Sequence, residues 1–122
     1  MADGTRGAAL AAACTGDGEL RMAARYWTGG VRFDLGDEVI TVRFENGQLV
    51  DESGARGEPE ITLTAPPDLW REILKPVPPP FCNDVVPAQG LGLQIGGDPE
   101  AFWQYYPAVR RMVDLLREAT PA

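Results

Sequence analysis

A chain of 122 residues is the length of one domain with one core, and 44% hydrophobic residues give it enough apolar mass to fold without a disulfide or metal staple. Eighteen acidic against eleven basic side chains set the formal charge at −7, which opposes attraction to phosphate backbones and anionic lipid surfaces and so disfavours nucleic acid and a polybasic membrane landing as partners. There is no histidine, which excludes histidine-based triads and removes a common metal ligand.

The alanine-rich start, residues 1–18, lacks the length and leucine content of a secretory core, and no apolar run of about 20 residues is present to span a bilayer. The expectation is a weakly ordered N-terminal segment, loose or weakly helical, before a cytoplasmic domain of residues 19–122. Cys14 and Cys82 are isolated and outside any CxxC pair, so both read as reduced thiols rather than as a disulfide framework.

From Glu19 to Trp27, Leu20, Ala23, Ala24 and Trp27 recur at helical spacing, and Gly29-Gly30 would stop that helix. VRFDLG alternates Val31, Phe33 and Leu35 against Arg32 and Asp34, the two-residue period of a strand with one wet face. Ile40, Val42 and Phe44 repeat the pattern, and Asn46-Gly47 supplies the positive-φ positions of a tight hairpin turn. An acidic, glycine-containing loop is expected from Asp51 to Glu58, followed by the ITLT strand with Ile61 and Leu63 on one face.

Pro66-Pro67 ends that strand and opens a helix with Leu69, Trp70, Ile73 and Leu74 on its apolar side, which Pro76 terminates. The prolines of KPVPPPFCNDVVPAQG forbid a central strand and predict a rigid crossover, with Phe81, Val85 and Val86 folding back on the core. LGLQIGG then reads as a strand placing Leu91, Leu93 and Ile95 on one face. Asp98-Pro99 is an N-cap followed by proline at the first helical position, opening the longest helical segment, to about Glu118, with a kink or break near Tyr105-Tyr106 caused by Pro107.

No constellation carries catalysis. Asp34, Asp37 and Glu38 suit a wet turn, Asp84 suits local turn bonding with ligand contact as the alternative, and GLGLQIGG lacks both the dinucleotide fingerprint and the Gly-Lys-Ser/Thr of a phosphate loop. Neither an enzyme nor a cofactor or metal is implied. The positive signal is aromatic: Trp27, Phe33, Trp70, Phe81, Phe102 and Tyr106 come from every major segment and could line an apolar cavity between helices and a curved sheet, although core packing explains any single one. Arg25 and Arg32 are candidate carboxylate anchors at its entrance, with solvated charge as the plainer reading.

ARYWTGGVRFDLGDEVITVRFENGQLV, EITLTAPPDLWREIL and GLGLQIGGDPEAFWQYYPAVRRMVDLLRE together resemble the sterol carrier protein type 2 domain over most of residues 24 to 118. The resemblance implies an α+β fold, a mixed and mostly antiparallel sheet of about five strands with helices over one face and a lipid-holding tunnel between them. It implies noncovalent binding or transfer of a fatty acyl, sterol-like or polyketide-like molecule, a bacterial-type acyl chain or polyketide before sterol itself. By position, Leu69, Trp70 and Ile73, then Leu91, Leu93, Ile95, Phe102 and Tyr106, would bound the cavity. The short segment before Glu19 departs from the long first helix of such carriers, so the cavity would be open or covered by a partner. The alternative is therefore a homodimerising or protein-interaction module on the same fold. One expectation is sharp: Trp70, Phe81, Phe102 and Tyr106 converge on one apolar space.

Overall fold

The structure, a computed structural model, describes residues 5–51 and 59–120. Beyond Asp51, the acidic loop expected up to Glu58 lies outside the described residues. Helices α1 (Thr5–Gly16) and α2 (Gly18–Ala23) precede β1 (Gly29–Asp34), β2 (Val39–Glu45), β3 (Gln48–Asp51) and β4 (Ile61–Thr64). Then come α3 (Pro67–Ile73), α4 (Val85–Ala88), a 3-10 turn (Gln89–Leu91), β5 (Gln94–Gly97), α5 (Pro99–Gln104) and α6 (Tyr106–Ala119).

The five strands form one sheet in the order β3-β2-β1-β4-β5. Only β1 and β4 run parallel, so the expected mixed, mostly antiparallel sheet with helices on one face is what the chain builds. Alternation decides which face is which. Val31, Phe33, Val42, Phe44, Ile61 and Leu63 are buried toward the helices, and Arg32, Arg43, Thr62 and Thr64 fall on the other side. The register lines the apolar set up in rows, Val42–Val31–Ile61 and Ile40–Phe33–Leu63–Ile95, so a one-residue slip would turn every row to solvent. Asn46 (φ 51) and Gly47 (φ 84) form the predicted hairpin turn, which demands positive φ at both positions.

Four expectations change. The N-terminal segment, read as loose or weakly helical, forms a helix from Thr5 to Gly16 that is packed into the fold, with Leu10 fully buried and Cys14 in the core. Its alanines have the highest helix propensity, and α1 gains a tertiary anchor by packing on α6 and on β2–β3. The helix expected from Glu19 to Trp27 stops at Ala23; Tyr26 takes φ 71, and Trp27 leaves the helix to enter the core. Leu91 belongs to the 3-10 turn rather than to the strand, because Gly92 (φ 118) reverses the chain before β5 begins at Gln94. Phe81, expected to fold back on the core, is 63% exposed at φ 69, at the outer corner of the proline-rich crossover.

The final helix breaks where Pro107 requires it. Asp98 caps α5 by accepting the Glu100 N–H at 3.0 Å, Tyr105 stands between the helices, and Pro107 enters the first turn of α6, where its missing donor costs nothing. Among the described residues no helix is long and apolar enough to cross a membrane.

Candidate functional site

At the end of the sheet where β1 and β4 finish, a pocket of about 290 Å³ lies between α3, Arg6 of α1 and Thr120, the residue that ends α6. Its walls are Leu35, Pro67, Trp70, Leu74 and Pro76, and its rim carries Arg6, Arg71, Lys75, Asp37 and Thr120. Each wall has a local cause. Leu35 continues the apolar alternation of β1 past its last residue, and Pro67 presets the first turn of α3, which then points Trp70 and Leu74 inward four residues apart. Trp70 is held by its indole Nε1–H, which donates to the Asp34 carbonyl at 2.8 Å, and by an edge-on contact with Phe33 at 6.5 Å.

The rim cations are held unequally. Arg6 donates to Glu38 at 3.0 Å and Asp37 at 3.1 Å, Lys75 to Glu72 at 3.0 Å, and Arg71 to Asp68. The α3 pairs are solvent-exposed, and such pairs contribute between 0 and about 1 kcal/mol each. An incoming anion can therefore compete for Arg71 and Lys75 at little cost, whereas Arg6 is held between Asp37 and the nearly buried Glu38. Deeper, Arg117 donates from Nε to the Ile73 carbonyl at 2.9 Å, satisfying one of the terminal carbonyls of α3 and fixing its end against α6.

The other aromatics from the sequence reading assemble elsewhere. Trp27 is stacked between Phe44 (5.0 Å) and Tyr105 (4.6 Å), and its Nε1–H donates to Glu60 at 3.0 Å, a filled sandwich with no free ring face. Phe102 meets Tyr106 at 5.4 Å and Trp103 at 5.0 Å beside Gly97. Gly97 pairs with Ile61, whereas Trp70 follows Thr64, so Phe102 and Trp70 stand at opposite ends of β4. The expected meeting of four aromatics at one space thus divides: Phe102 with Tyr106, Trp70 with Phe33, and Phe81 alone outside. Ile73 and Leu93 are buried in the core, Ile95 and Leu69 are half-buried at its margin, and Leu91 is exposed.

Tyr106 points its hydroxyl toward the crossover. Asp84, 8% exposed, accepts the Val85 N–H at 2.7 Å as N-cap of α4 and accepts the Tyr106 hydroxyl on its other oxygen, with Arg110 Nε 3.6 Å away. Burial and that bond to a carboxylate push the Tyr106 phenol up to about 12, so it stays protonated. The trio fastens the proline-rich segment to α6. Burial, then the nearby Asp17 charge, pushes the Cys14 thiol up to about 12, and burial raises Cys82 as well, so neither is an activated nucleophile. The described residues hold no group of three or more His, Cys, Asp or Glu arranged for a metal ion.

Sequence reasoning missed the rim. Arg71, on α3, and Lys75, just past its end, are four residues apart, a visible spacing, but Arg6 sits in the N-terminal segment read as weakly ordered, and Leu35 was read only as a strand residue. Arg25 and Arg32 do not line this pocket. A second hollow of about 250 Å³, between Cys14, Leu20, Phe44 and Leu49, also depends on α1 being a helix.

No protein-family model matches the sequence, and no curated protein matches it. Solved structures do. A crystal structure of sterol carrier protein 2 superposes with a TM-score of 0.71 at 19% identity, covering 93% of this chain and 94% of that one. The fold is that of sterol carrier protein 2. A solution structure from Thermus thermophilus, described as a conserved hypothetical protein and possibly a sterol carrier protein, gives 0.69 at 16% identity over 96% of this chain and 87% of that one. A ubiquinone synthesis protein, UbiJ-SCP2, gives 0.52 at 17% identity over 91% and 89%.

Proposed function

We propose that this chain binds an apolar small molecule noncovalently at the α3 end of the sheet, and that an acyl chain with an anionic head is the class it takes. The observation that carries this is the pocket itself: an indole, a leucine pair and two prolines for walls, with Arg6, Arg71 and Lys75 around the mouth of a protein whose net charge is −7. Pockets that hold small molecules are mostly apolar with a few placed polar groups. A volume of about 290 Å³ is at the small end of that range, which suits a flexible chain entering end-on better than a rigid sterol-like ring system. The likeness to sterol carriers supports the same class.

Decanoate and decanol titrations read the proposal directly. Reversing the exposed rim with Arg71→Glu and Lys75→Glu should weaken decanoate about threefold to tenfold while leaving decanol unchanged, since only the acid meets the cations. Equal loss for both ligands, or binding of neither to the unaltered protein, would remove the reading and leave the dimerising or interaction module.

A further inference from the structure

The two edges of the sheet are unlike. At one edge α1 packs on β3; at the other, β5 pairs only with β4 and its outer side is open among the described residues. The register says which main-chain groups face outward. The Asp98 N–H donates to the Glu60 carbonyl at 2.7 Å, which makes 60–98 a hydrogen-bonded pair of the antiparallel ladder. Such pairs alternate, so Gly96 and Gln94 also bond to β4, while Ile95 and Gly97 direct their N–H and C=O groups away from it. The strand is blunted only by its length of four residues; it carries no lysine, proline or bulge.

A groove flanks this edge on each face of the sheet. On the helix side, Ile95, Phe102 and Trp103 line a hollow of about 190 Å³, and Trp103 is 60% exposed although Trp27 and Trp70 are buried. Toward the opposite side, Thr62, Thr64 and Gln94 line an open, more polar hollow of about 480 Å³, and the exposed Gln89 of the 3-10 turn borders both hollows. An added strand would send alternate side chains into these two grooves, apolar ones against Phe102 and Trp103 and polar ones over the threonines. Charge selects the occupant: Asp98 and Glu100 are exposed at the Gly97 end, and neither forms an ion pair with a described residue.

We propose that the open edge of β5 takes up an extended segment of a partner protein as a sixth strand, one that alternates apolar side chains with lysine or arginine. The site is separate from the α3 pocket and does not depend on it. The probe is the synthetic peptide acetyl-Lys-Leu-Thr-Leu-Lys-amide, titrated into the full chain labelled for amide NMR. Binding should move the Ile95 and Gly97 amide resonances and the Trp103 indole and leave the Trp70 indole in place. Two N-methylated analogues, one on both leucines and one on the other three residues, give the decisive control. A bound strand bonds through one edge only, so one analogue should keep its affinity and the other lose about tenfold or more. Trp103→Ala should lower affinity several-fold, and replacing both peptide lysines by glutamate should do the same. No shift at Ile95 and Gly97 with about 1 mM peptide overturns the proposal, as does equal binding of both methylated analogues. Shifts at these amides that follow protein concentration without peptide would overturn it in favour of a second copy of this chain.

Discussion

Trp27 and Trp70 are both almost completely buried, yet one stands in filled space and the other beside a void. Both faces of Trp27 are covered by aromatic rings, and its indole N–H is taken by Glu60, so nothing can enter without displacing a ring. Trp70 has a comparable anchor in the Asp34 carbonyl but forms one wall of the α3 pocket. The difference lies in the chain after each residue. Trp27 leads straight into β1, which holds it against the sheet, whereas Trp70 sits in a seven-residue helix between prolines, and Pro76 turns the chain away before it can close over Leu74. Packing closes both faces of Trp27, with the second hollow lying beyond Phe44, and leaves room directly against Trp70.

The largest effect should come from the filled end. Trp27→Ala removes the middle of a three-ring stack and orphans Glu60, and should cost roughly 3 to 5 kcal/mol in urea denaturation. The fraction that remains folded should bind decanoate as before. Trp70→Phe keeps an aromatic wall but leaves the Asp34 carbonyl without its donor, costing about 1 to 3 kcal/mol and enlarging the pocket, so ligand affinity should change together with stability. A decanoate affinity that follows Trp27 rather than Trp70 would reverse the comparison.

A smaller effect, confined to acid, separates the two ends further. Arg111 donates to both oxygens of Asp17, at 2.9 and 2.8 Å, tying α6 to the start of α2 on the Trp27 side. That bond, then the Leu20 N–H, lowers the Asp17 pKa from 3.8 to about 2, and Arg111 is raised in turn. A folded-state pKa below the unfolded one means the contribution is complete above pH 3.8 and is lost as pH falls toward 2. Asp17→Asn should therefore be less stable than the unaltered protein at pH 6, and the gap in urea midpoint should close across that window. A gap that persists at pH 2 would show that the pair acts through geometry alone.

The sheet was legible because alternation is a direct consequence of strand geometry: Val31, Phe33, Ile61 and Leu63 announce a face and a register, and Asn46-Gly47 announces a hairpin. Asp98-Pro99 and Pro107 marked helix boundaries for reasons equally local. The pocket was not legible. Its walls join Leu35, Trp70 and Leu74, and its rim adds Arg6 and Thr120 from the two ends of the chain, a juxtaposition set by how α1 and α6 pack rather than by any spacing. Periodicity also assigned Trp27 to a helix and Leu91 to a strand, where positive φ at Tyr26 and Gly92 ends the element first. The expectation that the aromatics converge failed for a simple reason: one core can have two ends, and a residue's inward face does not say which end it occupies.

The most direct test of the central claim is a nitrogen–proton correlation spectrum of the three indole N–H groups during a decanoate titration, each tryptophan assigned by substitution with phenylalanine. Trp27, Trp70 and Trp103 report respectively on the filled stack, the α3 pocket and the β5 edge. The account predicts a saturable shift of the Trp70 indole with the Trp27 and Trp103 signals stationary. A silent Trp70, or a shift centred on Trp27, would contradict it.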